Sequence, residues 1–164
     1  MNRVLVSTME SPLPEWTGLL KSYARKVLAL LGREKWDLSV LLCDDRIITV
    51  LNSRYRGKEQ ATDVLSFVQD EGENFPLGSR SVKGRRLPGD IVISLDTLRK
   101  NARRFNVSED EELRRILIHG ILHLDGMDHK SNDNTEPMLR LQEKILSELE
   151  GIRILPKAGL AGRA

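Results

Sequence analysis

Cysteine is almost missing from this chain of 164 residues. Cys43 is its single thiol, so no internal disulfide is available and nothing asks for an oxidising compartment. Long apolar runs are missing too, since no stretch approaches the roughly 18 residues that a membrane span needs. The opening Met1-Asn-Arg-Val-Leu-Val-Ser has neither the apolar stretch nor the small-residue cleavage site of a secretion signal. A cytoplasmic location is therefore the expectation. An excess of one charge is also lacking: 26 Lys and Arg stand against 24 Asp and Glu, for a formal net charge of +2. A polycation is excluded, and what matters is where the charges fall. Arg80, Lys83, Arg85 and Arg86 crowd one segment, Arg99, Lys100, Arg103 and Arg104 another, while Glu109-Asp110-Glu111-Glu112 is acidic. That segregation permits a basic face suited to a phosphate backbone, or simply a solvated loop and helix.

Histidine is scarce as well, and its placement is informative. The chain has 3, all of them within His119-Gly-Ile-Leu-His123-Leu-Asp-Gly-Met-Asp-His129. Residues four apart share one face of a helix, so His119 and His123 can present their imidazoles to one point. Gly126 is suited to ending that helix in a left-handed conformation. The chain then returns and brings His129 to the same point. Two helical imidazoles and one from the following turn make an open tris-histidine site of the kind a catalytic zinc prefers. Without a metal, the same imidazoles would cap carbonyls or line a polar interface. A structural zinc would need a fourth ligand, for which Cys43 is a distant candidate. Asp125 and Asp128 are near enough in sequence to coordinate, or to orient an imidazole from outside.

Around this site the chain reads as one α+β domain over residues 1–151, with a loose tail over 152–164. Apolar content of 40% and charged content of 30% suit a soluble globular chain of this length. Residues 3–7 suggest a first strand. Pro14 opens a helix that carries Trp16, Leu19, Leu20, Tyr23, Val27 and Leu31 at helical period. Leu38 to Cys43 is a buried strand. Asp44 caps a second helix with Ile47, Ile48, Leu51 and Tyr55 on one face. Thr62–Val68 and Asp90–Ser94 are further strands. The polar stretch Gln69–Gly89 between them is long enough to be functional or mobile. A short helix with Leu95, Leu98, Ala102 and Phe105 carries the second basic group outside. Ser108 and Glu111 form a capping-box pattern before the histidine helix. A last helix uses Met138, Leu141, Ile145 and Leu149.

The spacing His-x3-His-x2-Gly-x2-His matches the metzincin peptidases except at one position. Those enzymes carry a glutamate general base directly after the first histidine, and Gly120 stands there in this chain. The metal ligands survive and the peptidase base does not.

The eleven-residue histidine segment resembles the signature of the YbeY family of bacterial endoribonucleases, which act in ribosomal RNA maturation. Leu51-Asn-Ser-Arg-Tyr-Arg-Gly-Lys58 with Ala61-Thr-Asp-Val-Leu-Ser-Phe67 is similar to a second family motif, and Gly89-Asp-Ile-Val-Ile-Ser94 to a third. The resemblance implies a zincin-like α+β fold, with helices on a small mixed sheet of about four strands. It implies one Zn2+ per chain held by His119, His123 and His129, and a functional arginine at Arg56. It also implies ribosomal RNA, chiefly the small-subunit precursor, as substrate, with ribosomal or ribosome-associated proteins as partners. A guanidinium at Arg56 suits the chemistry, because phosphodiester cleavage builds charge on oxygens that a planar cation can pair two at a time. The competing role for Arg56 is a surface arginine capping the end of a helix. Thr62, Asp63 and Ser66 suit backbone hydrogen bonding at a strand entry, and Asp90 suits either an outer partner of the site or a turn. Asp125 and Met127 depart from the aliphatic and aromatic residues common in the family, and the Gln69–Gly89 stretch is longer. Two other functions remain open: a ribosome-assembly factor that binds RNA or protein around a largely structural zinc, and a metal-dependent hydrolase of another bond.

Overall fold

The computed structural model describes residues 1–69 and 84–161. Its elements are β1 (Arg3–Thr8), α1 (Thr17–Leu30), β2 (Trp36–Cys43), α2 (Asp45–Arg56), β3 (Val64–Val68), β4 (Arg86–Ser94), α3 (Leu95–Phe105), α4 (Glu109–Leu124) and α5 (Pro137–Glu148), followed by a short 3-10 turn over Gly159–Ala161. The architecture is α+β: helices pack on a mixed four-stranded sheet of order β1-β2-β4-β3. β1, β2 and β4 run parallel, and β3 joins β4 antiparallel.

The near-continuous apolar run in β2 has a plain cause. β2 is flanked by a strand on each side and covered on both faces, so both sets of alternating side chains are buried. Leu38, Val40 and Leu42 join the main core with Leu20, Val27, Ile91, Leu117 and Ile121. Leu41 and Cys43 face a smaller cluster with Ile48 of α2, Leu65, Phe67 and Val92. α4 lies at the centre of the main core, touching α1, α3, α5, β3 and β4. A helix surrounded in this way is apolar on most sides, which makes any polar side chain it carries conspicuous.

Four of the differences from the expected boundaries have a visible cause. Pro14 precedes α1 rather than opening it: its carbonyl accepts from Thr17 N at 3.2 Å and from Thr17 Oγ1 at 2.6 Å, forming the turn ahead of the helix. β3 starts at Val64, because the Asp63 carboxylate takes the Val64 amide at 2.8 Å and closes the strand entry. β4 starts four residues before Asp90, despite Pro88. The β2–β4 register slips between Trp36 and Leu38, and at such an irregularity proline's missing donor costs little. The residues after Gly151 are not loose as far as the final turn. Ile154 and Leu155 are buried, and Asp110 Oδ1 accepts both their amides, at 2.7 and 2.8 Å. Periodicity could not reveal an anchor that sits 44 residues upstream.

The first basic segment falls partly outside the described residues, Arg80 and Lys83 among them, as does most of the Gln69–Gly89 stretch. Arg85 is committed to Asp37 at 2.7 Å, and Arg86 lies 5.2 Å from the Trp36 ring. In the second segment Lys100 pairs with Asp45 at 2.7 Å and Arg99 with Asp96 at 3.5 Å, while Arg103 and Arg104 are exposed. Phe105, expected on the inner face of α3, is exposed too.

Candidate metal centre

α4 is built to deliver its last two turns. Ser108 Oγ accepts from Glu111 N at 3.0 Å, and four acidic residues in the first turn face the positive end of the helix dipole. Only half of the capping box forms, because the Glu111 carboxylate pairs with Arg115 at 3.2 Å instead. The other end closes as a Schellman turn: Gly126 has φ +95°, its amide donates to His123 O, and Met127 N donates to Leu122 O, both at 3.0 Å. This turn reverses the chain and carries His129 back over the helix.

The three imidazoles converge. Their ligand nitrogens lie within 4.8 Å of one another, and His119 Nε2 is 3.1 Å from His123 Nε2. Each ring's other nitrogen meets an oxygen: Gln142 Oε1 at 2.7 Å for His119, Met127 O at 3.0 Å for His123 and Ser131 O at 2.8 Å for His129. Carbonyl oxygens only accept, so Nδ1 carries the proton and Nε2 keeps its lone pair. Two lone pairs at 3.1 Å repel unless a cation sits between them. Bonds of about 2.0–2.1 Å at a tetrahedral angle would set two such nitrogens roughly 3.3 Å apart, so the residues fit a zinc-sized ion. Burial lowers the pKa of His119, against its bond to Gln142, and also that of His123, with the neighbouring His119 adding to the effect. Both rings are therefore held neutral, the form that binds a metal.

Gly120 follows from packing. A Cβ on it would lie 3.0 Å from both Cδ1 and Cγ2 of Ile91 on β4. Its backbone supports the site from behind, where Ser66 Oγ donates to Gly120 O at 3.3 Å.

Beside the histidines opens a cleft of about 480 Å3, whose walls include His119, His123, Arg56, Asn52, Ser66 and Asp128. Arg56 is the last residue of α2 and does not cap its own helix. One guanidinium nitrogen donates to Ser66 O of β3 at 2.8 Å, and the group lies 5.9 Å from the Phe67 ring. Asn52, which sequence reasoning passed over, is buried and donates to Gln60 O at 3.0 Å, fixing the return from α2 to β3.

Other candidates go elsewhere. Asp125 pairs with Arg33, at 2.6 and 3.1 Å. Asp128 accepts from the His129 amide and stands 4.0 Å from His123 Nδ1, beyond hydrogen-bond reach. Cys43 is outside the histidine group, buried beneath α2, and its thiol is pushed up to about 12, mostly by burial. Asp90 takes neither role weighed for it. It is buried in β4, where burial raises its carboxyl pKa against a hydrogen bond with Ser39. Thr62 and Asp63 serve the strand entry. The outer partner that sequence reasoning missed is Gln142. A signal existed: it falls four residues after Met138 and three before Ile145, a polar residue on the apolar face of α5.

A family model described as Endoribonuclease YbeY matches residues 8–150 of the chain. A Treponema pallidum protein named Endoribonuclease YbeY is 45% identical over 148 residues, covering 90% of each chain. One of the same name from Treponema denticola is 44% identical over 135 residues, 82% of this chain and 84% of the other. Among solved structures, the solution structure of TM1509 from Thermotoga maritima is 30% identical with a TM-score of 0.56, covering 91% of this chain and 89% of that one.

Proposed function

Since the chain belongs to the YbeY family of endoribonucleases, we propose that it is a zinc-dependent endoribonuclease of the cytoplasm that matures ribosomal RNA, chiefly the small-subunit precursor. It is a hydrolase, and RNA is its substrate. The observation that carries the reading is the convergence of three imidazoles, two of which, His119 and His123, line a cleft that also holds Arg56.

His119, His123 and His129 are the residues that would hold the zinc, and the chain works around them as one domain. When bound, zinc supplies a Lewis acid that draws charge from a phosphoryl oxygen. Arg56 offers a planar cation to the other phosphoryl oxygens, where negative charge grows during cleavage. Ser66 O holds one arm of that guanidinium, which lowers the cost of ordering it when RNA arrives. The residue after His119, Gly120, contributes no base. Among the described residues no helix is long and apolar enough to cross a membrane.

The test is to incubate the zinc-loaded chain with a small-subunit ribosomal RNA precursor and, in parallel, with a mixed peptide library. RNA cleavage that EDTA abolishes, with peptides left intact, is expected. Peptide cleavage, or RNA cleavage indifferent to EDTA, would overturn the proposal.

A further inference from the structure

The hydrogen bond on the outer side of His119 decides more than the angle of its ring. An amide side chain can present either its oxygen or its nitrogen, and at Gln142 the surroundings choose. Gln142 is buried, and its Nε2 donates to Glu143 Oε2 at 3.2 Å. Arg115 grips Glu143, with Nε 3.0 Å from Oε2 and a terminal nitrogen 3.1 Å from Oε1. Burial pushes the Glu143 carboxyl up, but the hydrogen bonds from Arg115 and Gln142 outweigh it and hold it ionised. An ionised carboxylate only accepts, so the amide nitrogen is committed to it. The amide oxygen therefore faces His119, and the proton on that imidazole must sit on Nδ1. A chain of four side chains, Arg115–Glu143–Gln142–His119, thus fixes which nitrogen is free.

Charge is the second consequence. The outer partners of His123 and His129 are backbone carbonyls, so with the Gln142 amide all three hydrogen-bonded acceptors are neutral. A carboxylate in such a position feeds electron density through the imidazole and cancels part of the metal's charge. Here the carboxylate stands one residue further out, at Glu143, tied to Arg115.

Building on the reading that the three histidines hold a metal, we propose that Gln142 is a positioning residue: it fixes His119 as the Nδ1–H tautomer and, being neutral, adds no negative charge to the site that meets an anionic phosphodiester.

Two variants separate these roles on the full-length chain. Gln142→Leu keeps the side-chain volume and removes the acceptor. The exchange Gln142→Glu with Glu143→Gln keeps the net charge and an acceptor on His119, but moves the carboxylate next to His119 and leaves Arg115 one acceptor oxygen instead of two. Zinc affinity is read by chelator competition, and anion affinity by titrating inorganic phosphate into the cobalt-substituted protein while following its visible bands. Gln142→Leu should bind zinc about 10- to 100-fold more weakly with an unchanged circular dichroism spectrum. The exchange variant should bind zinc at least as tightly as the wild type, and phosphate several-fold more weakly. Wild-type zinc affinity in folded Gln142→Leu would overturn the positioning role. Should that variant fail to fold, loss of zinc binding by the folded exchange variant would overturn that role in its place. Wild-type phosphate affinity in the exchange variant would overturn the role of neutrality. A wild type that takes up no zinc would instead overturn the metal reading beneath both.

Discussion

Gly120 presses its bare Cα side against Ile91, whose Cδ1 and Cγ2 would each lie 3.0 Å from an added Cβ. The position at which metzincin peptidases carry their general base is here a contact between the histidine helix and β4. Gly120→Glu should therefore not create a peptidase. It should lower stability by about 1–3 kcal/mol through overpacking, read as an earlier urea midpoint, with peptides still uncut. Gly120→Ala combined with Ile91→Val should recover part of the loss of Gly120→Ala alone, a coupling that a double-mutant cycle measures. Additive effects would contradict the contact.

Arg56 is an exposed side chain with one anchoring bond, to Ser66 O. Removing it should spare the fold and hurt the chemistry. Arg56→Ala should lower kcat on RNA by about 10²–10³-fold, with zinc affinity unchanged and stability altered by less than about 1 kcal/mol. Arg56→Lys should restore little, because a point charge cannot pair two oxygens in a plane. Single-turnover cleavage with zinc titration on the same samples checks both.

Asp110 holds the carboxy-terminal segment to the start of α4 through the amides of Ile154 and Leu155, and its other oxygen accepts from Arg114 Nε at 2.8 Å. Asp110→Ala would leave two buried donors unpaired and should cost about 2–5 kcal/mol. Hydrogen exchange at Ile154 and Leu155 should quicken well before exchange in β2 does.

His119 and His123 have pKa values lowered below 6.5, chiefly by burial. The unfolded chain then binds more protons than the folded one as pH falls below 6.5, so the folded state loses stability there. The contribution is complete above 6.5 and declines as pH drops toward the folded-state values. Metal-free protein should unfold at lower urea on the acid side of 6.5 than on the alkaline side, and His123→Ala should flatten that slope. A steeper slope in the variant would contradict the assignment.

The parts legible in sequence are those where one local rule acts alone. Asp44 and Ser108 cap their helices because a short acceptor ahead of a helix has little else to do. The i,i+4 spacing of His119 and His123 and the turn at Gly126 are equally local, and they bring the imidazoles together. The apolar run from Leu38 reads as buried because both faces of β2 are covered. What was not legible depends on partners far along the chain. Nothing near Asp110 announces Ile154, nothing near Asp125 announces Arg33, and Pro88 reads as a strand breaker until its place opposite a register slip is known. The outer bond of His119 to Gln142 spans 23 positions and two helices.

The most direct measurement is zinc content and RNA cleavage on the same preparations of wild type and His123→Ala, with circular dichroism on each. One zinc per wild-type chain and cleavage of the ribosomal RNA precursor are expected. In the variant both should be lost, with the spectrum unchanged. Cleavage at the wild-type rate by folded, zinc-free His123→Ala would contradict a zinc-dependent ribonuclease.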